Sequence, residues 1–155
     1  MTPSADAFLA LFDESRFIPA LKGRTKAPVL KELAEALGEV RHTEVILDAL
    51  AAREKLGSTG IGKEVAIPHS RTVSVPSLKV LIARSAKGVP WDAADDKAVK
   101  LFFVVVAPPI ERVPMYLPLL GGLVGAMQKK KNRDALLEAE DWNAVRAALE
   151  EALHA

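Results

Sequence analysis

The sequence predicts an α/β protein, a three-layer α/β/α sandwich in which a central mixed β-sheet is flanked by helices. Two observations carry that prediction. The first is Val99–Ala107, where Leu101, Phe102, Phe103, Val104, Val105 and Val106 are apolar at successive positions. A strand buried on one face alternates apolar with polar residues. An unbroken apolar run means burial on both faces, hence a central strand with helices above and below. The second is order: two helical patterns, then strands, then helical patterns to the end.

The elements follow in sequence. Phe8, Leu9, Leu11 and Phe12 suit the start of a short helix or of a strand, and Phe17-Ile18 a small strand. Residues 24–28 read as a helix start, with Pro28 in the first turn, where its missing N–H costs nothing. Val29, Leu30, Leu33, Ala34 and Leu37 then recur at helical spacing, and Gly38 fits the stop. Thr43 is a reasonable N-cap for a second helix, whose apolar face is Val45, Ile46, Ala49, Leu50 and Leu56. Gly57 ends it. A glycine-rich turn leads into a short apolar strand that stops at Pro68, followed by His69. Residues 78–83 form a strand, Lys87-Gly88 a turn and residues 91–96 a loop. Pro108-Pro109 terminates the long central strand. Residues 115–127 suggest a helix with Pro118 in its first turns, weakened by Gly121-Gly122. Asn132 suits the cap of a short helix. Asp141 suits the cap of the last, which carries Trp142, Val145, Leu149 and Leu153 on one stripe.

The 155 residues fit a single domain spanning 1–155, with no repeat or dividing linker. Half of them are apolar, enough for a continuous core. Lysine and arginine number 21 against 20 aspartates and glutamates, a formal +1, so charge gives no whole-chain argument for nucleic acid or a membrane surface. With no cysteine, disulfides and thiolate chemistry are excluded. No basic segment followed by an apolar run opens the chain, and the apolar run 101–107 is far short of the ~20 residues a membrane helix needs. These readings predict a cytoplasmic protein without membrane insertion. Lys129-Lys130-Lys131 with Arg133 reads as a solvated helix end, favourable near a helix C-terminus.

His69 is the residue most open to chemistry. Neutral imidazole is a good nucleophile near pH 7, provided one nitrogen is free and the other is held by a hydrogen bond that fixes the tautomer. A phosphorylated ring gains oxygens that backbone N–H groups of a glycine turn, or an arginine, can receive. Ser58, Thr59, Gly60, Gly62, Ser70, Arg53 and Arg71 supply such groups near it in sequence. On these grounds alone the structural or incidental reading of His69 outweighs the chemical one. His42 and His154 read as surface residues. Scattered carboxylates with one internal histidine give no metal-ligand spacing, and no cofactor is expected.

Taken whole, the segment is more specific. Arg53, then Leu56-Gly57-Ser58-Thr59-Gly60-Ile61-Gly62, then Ala66-Ile67-Pro68-His69 resembles the phosphorylation-site signature of the fructose/mannitol-type enzyme IIA domains of the bacterial phosphoenolpyruvate-dependent phosphotransferase system. The nitrogen-regulatory enzyme IIA proteins share that signature. The resemblance extends more loosely through Gly88-Val89-Pro90-Trp91-Asp92, the strand Val99–Ala107 and the helices after it. It implies that His69 accepts a phosphoryl group and that Arg53 sits beside the site. It also implies that Thr59 bonds the imidazole or the phosphoryl oxygens, while Ser58, Gly60, Gly62 and Ser70 contact phosphate. The implied donor is an HPr-like phosphocarrier, and the implied recipient a IIB component or a regulated kinase or transporter.

One departure stands out. Many members of that family carry a second histidine before the helix that follows the central strand. Here Tyr116 or Met115 stands there, Tyr116 being the favoured match, and no histidine occurs between His69 and His154. A phenol donates a hydrogen bond but carries no positive charge near neutral pH. Three expectations follow: phosphoryl transfer with Tyr116 in partial substitution, slowed transfer, or a regulatory binding module that keeps the fold without transfer.

Overall fold

The computed structural model describes residues 3–38 and 40–154. Its six strands are β1 (Phe17–Ile18), β2 (Gly60–Gly62), β3 (Val65–Ala66), β4 (His69–Arg71), β5 (Lys79–Val89) and β6 (Val99–Ala107). Its α-helices are α1 (Ala5–Leu9), α2 (Lys26–Ala36), α3 (Thr43–Lys55), α4 (Tyr116–Met127), α5 (Lys130–Glu138) and α6 (Trp142–His154). The sheet runs β1-β5-β6-β3-β2, with β4 also paired to β6. It is mixed: β5 is antiparallel to β6, whereas β3 and β4 are parallel to it.

β6 is the centre, as its composition requires. Leu101, Phe103, Val105 and Ala107 point to one side, where α1, α4, α5 and α6 cover them. Phe102, Val104 and Val106 point to the other, onto α2 and α3. All seven are fully buried. Successive strand residues face opposite ways, so one apolar run builds both cores.

Several local expectations are corrected. Of the two readings for Phe8, Leu9, Leu11 and Phe12, the helix is found, but it ends there rather than starts: α1 is capped by the Ser4 hydroxyl accepting from Ala7 N at 3.1 Å and stops at Leu9, leaving Leu11 and Phe12 outside it. Lys87-Gly88 is no turn. β5 runs on to Val89 through a register shift, with Gly88 at φ 82 supplying the bulge. Thr43 is the first helical residue of α3 rather than its cap, because a 3-10 turn, Val40–His42, leads straight into the helix. Asn132 does not cap α5. It lies buried within it and donates from Nδ2 to Ala126 O at 2.8 Å, adding to the weaker bond of 3.4 Å that this carbonyl near the end of α4 takes from Lys129 N. Asp141 does cap α6, accepting from Ala144 N at 2.9 Å. Pro118 is the third residue of α4, a position without an intrahelical N–H partner, and the helix runs through it unbroken. In the basic cluster, Lys129, Lys130 and Lys131 are exposed. Arg133 is half-buried: its Nη1 donates to Met127 O at 2.7 Å and Gln128 O at 3.0 Å, at the end of α4. No helix among the described residues is long and apolar enough to cross a membrane.

The correction that matters most concerns His69. It does not follow a strand end; it opens β4. β3 and β4 lie in succession along one edge of β6, Val65 opposite Leu101 and His69 opposite Val105. Ile67-Pro68 interrupts them. Ile67 N donates to Thr59 O at 3.0 Å, and Pro68 has no N–H, but Pro68 O accepts from Val105 N at 2.9 Å and the pairing resumes.

Candidate functional site

His69 stands where β4 begins, near the C-terminal end of β6, with its ring half-buried. Nδ1 lies 2.7 Å from Ile67 O. A carbonyl only accepts, so Nδ1 carries the proton and Nε2 of the neutral ring holds the lone pair. The backbone two residues upstream thus fixes the tautomer.

Tyr116 packs against that ring, centroid to centroid 6.1 Å. It is the first residue of α4, and Glu111 holds that helix start: its carboxylate accepts from Met115 N at 3.0 Å and Tyr116 N at 3.3 Å. Burial pushes the Tyr116 hydroxyl above the usual phenol range, against the opposing pull of the Arg71 and Arg53 charges. It therefore remains a neutral O–H donor at pH 7. Arg71 lies over the Tyr116 ring, its Cζ 4.4 Å from the centroid, and pairs with Glu111 at 3.3 Å. Arg53, in the last turn of α3, donates from Nη1 to Gly57 O at 2.8 Å and so ties the helix to the glycine turn.

The other predicted residues are placed differently. The Thr59 hydroxyl has one proton, and it goes to Glu54. The same oxygen accepts from the Trp91 indole N–H at 3.1 Å. Thr59 is buried, and its hydroxyl has no proton left for an imidazole or a phosphoryl oxygen. The Ser58 hydroxyl donates to Trp91 O and accepts from Gly60 N at 3.1 Å, so that N–H is also engaged. Gly62, at φ 84, ends β2 beside Asp95, and Lys63 and Glu64, at φ 57 and 68, make the tight turn into β3. β3 meets β6 four residues before His69 does, about 13 Å away along a strand. Ser70 faces the side of the sheet opposite His69. The structure therefore brings His69 and Tyr116 together, places Arg53 where its charge reaches that tyrosine, and turns Ser58 and Thr59 inward to hold the loop.

Three residues were not singled out from sequence: Glu54, Trp91 and Glu111. Glu54 is buried in α3, accepts from Thr59 N at 3.2 Å and Trp91 Nε1 at 3.2 Å, and pairs with Lys26 at 3.0 Å. Its only sequence signal is that it neighbours Arg53. Gly60 has a packing reason to be glycine: an added Cβ would lie 2.8 Å from the Ala93 Cβ. Gly60→Ala is expected to cost about 1–3 kcal/mol, read as a lower urea midpoint at unchanged m-value.

Among the described residues no group of histidines, aspartates and glutamates is arranged to hold a metal ion. The chain matches the family model described as "Phosphoenolpyruvate-dependent sugar phosphotransferase system, EIIA 2" over residues 10–152. It is 38% identical over 122 residues to the "PTS system fructose-specific EIIA component" of Haloferax volcanii, covering 79% of each chain. The nitrogen regulatory protein IIA-Ntr from Neisseria meningitidis superposes with a TM-score of 0.84 at 30% identity, covering 91% of this chain and 97% of that one. The fold also matches enzyme IIA of the Escherichia coli mannitol system, in its complex with phosphorylated enzyme IIB, at TM-score 0.75 and 20% identity, covering 90% and 97%. A mixed sheet between two helical layers, with a tautomer-fixed histidine inside the matched region, agrees with that match, and the chain belongs to the EIIA type 2 family of the phosphoenolpyruvate-dependent sugar phosphotransferase system.

Proposed function

We propose that His69 is a phosphoryl carrier, charged by the phosphohistidine of an HPr-like phosphocarrier in the cytoplasm. The supporting observation is the 2.7 Å bond from Nδ1–H to Ile67 O, which leaves Nε2 as the nucleophile. In the transfer, a P–N bond forms at Nε2 while the donor's P–N bond breaks, its electron pair returning to the donor imidazole. The Nδ1 proton stays in place, and its bond to the carbonyl strengthens as the ring gains positive charge. Arg53 adds positive charge near the attack site and holds Gly57. Tyr116 donates its hydroxyl to a phosphoryl oxygen. Thr59 and Ser58 keep the loop in shape rather than touch phosphate.

The group then passes to a IIB component or remains as a signal. The mannitol relative's complex with phosphorylated IIB and the nitrogen regulatory relative support the two outcomes respectively. Exposed Leu56, Ile110, Val113 and Leu117 lie on the segments that flank Arg53, Glu111 and Tyr116, an apolar rim suited to a protein partner. Incubation with phosphoenolpyruvate, enzyme I and HPr-like carriers is expected to give one acid-labile phosphoryl group on His69 Nε2, assigned by 31P NMR. No label from any cognate carrier defeats the proposal. The second reading, a regulatory module without transfer, is motivated by Tyr116 and predicts partner binding that survives His69→Ala unchanged.

A further inference from the structure

Arg71 is two residues beyond His69 on β4, so both side chains leave the same face of the sheet. The Tyr116 ring packs against both, its centroid 6.1 Å from that of the imidazole and 4.4 Å from the Arg71 Cζ. Arg71 is anchored by one corner: Nη1 donates to Pro108 O at 2.9 Å and to Glu111 at 3.3 Å. Among the described residues Nε and Nη2 have no hydrogen-bond partner, and the side chain is 37% exposed. Glu111 takes up only part of the positive charge, since its carboxylate also accepts from two N–H groups of α4.

A phosphoryl group on Nε2 brings negative charge that a neutral tyrosine cannot balance. A planar guanidinium with a free two-donor edge is suited to phosphoryl oxygens, and its charge is permanent. We propose that Arg71 is a catalytic residue: its Nε–Nη2 edge binds the oxygens of the phosphoryl group on His69, with the Tyr116 ring as the platform that holds the guanidinium in reach. This rests on His69 being the phosphoryl acceptor. Arg71 thereby provides the cation that Tyr116 lacks.

Titrating inorganic phosphate into the wild-type protein, with the His69 ring and the Arg71 Nε–H followed by 15N NMR, tests the assignment without any phosphocarrier. Both signals are expected to move with one midpoint. Arg71→Ala is expected to weaken phosphate about ten- to a hundredfold, the range for a lost charge-assisted pair, and Arg71→Lys by less. A residue that only propped up α4 would leave the Nε–H unmoved in wild type, whatever Arg71→Ala did to folding. An unmoved Nε–H, no saturable phosphate binding, or equal affinity in a folded Arg71→Ala overturns the proposal. Phosphocarrier labelling is read separately. Failure to label wild type defeats the carrier function and leaves the phosphate result standing, whereas labelling of Arg71→Ala at the wild-type rate overturns Arg71 alone.

Discussion

His69→Ala is expected to remove all phosphoryl label from the protein while leaving it folded. The loss is complete because no second acceptor is available. There is no cysteine, His42 is exposed at the start of α3, and His154 is at the far end of α6 with its Nε2 3.0 Å from Asp6. Among the described residues neither of those rings has a carbonyl fixing its tautomer or an arginine–tyrosine pair beside it. Tyr116 is no substitute nucleophile, since burial holds its hydroxyl protonated. The cost to the fold is small. The ring is half-buried, and the hydrogen bond to Ile67 O accounts for about 0.5–1.5 kcal/mol. The measurement is a labelling time course beside urea unfolding. Label reaching the wild-type level in folded His69→Ala would place the phosphoryl group elsewhere.

His69 was legible because its signature is contiguous, and β6 because burial on both faces leaves a one-dimensional trace in the sequence. What escaped is what depends on contacts distant in sequence. Glu54 follows Arg53 on α3, and nothing local in the sequence sets it apart. Only the fold brings it to Trp91, 37 positions away, and to Lys26, 28 positions away. Glu111 sits in a loop after Pro108-Pro109 and gains meaning only when α4 starts above it. Asn132 has the composition of a cap, yet its amide satisfies the end of a different helix. Thr59 shows the limit of a motif: the signature located it correctly in the loop, but the side chain's direction was set by the buried carboxylate behind it.

That carboxylate carries the largest stability effect expected in the site. Glu54→Ala should destabilise the protein by about 3–5 kcal/mol, because removing one partner leaves buried groups uncompensated. The Thr59 N–H and the Thr59 hydroxyl lose their acceptor, the Trp91 N–H is left with the Thr59 oxygen alone, and among the described residues Lys26 keeps only Asp92, at 3.7 Å, as an ionic partner. Trp91 is 1% exposed and packs edge-on to Phe102 at 5.0 Å, so water cannot readily take the place of the carboxylate. Glu54→Gln keeps shape and one acceptor and should cost less, about 1–3 kcal/mol. The effect should reach function without touching His69. Thr59 O holds Ile67 N, and Ile67 O fixes the His69 tautomer, so a loosened loop frees the ring that must present Nε2. Labelling of Glu54→Gln, measured where it is still folded, is therefore expected to slow even though no charged group near Nε2 has changed. An unfolding free energy of Glu54→Ala within about 0.5 kcal/mol of wild type, the range of an ordinary surface substitution, would show that the network holds nothing.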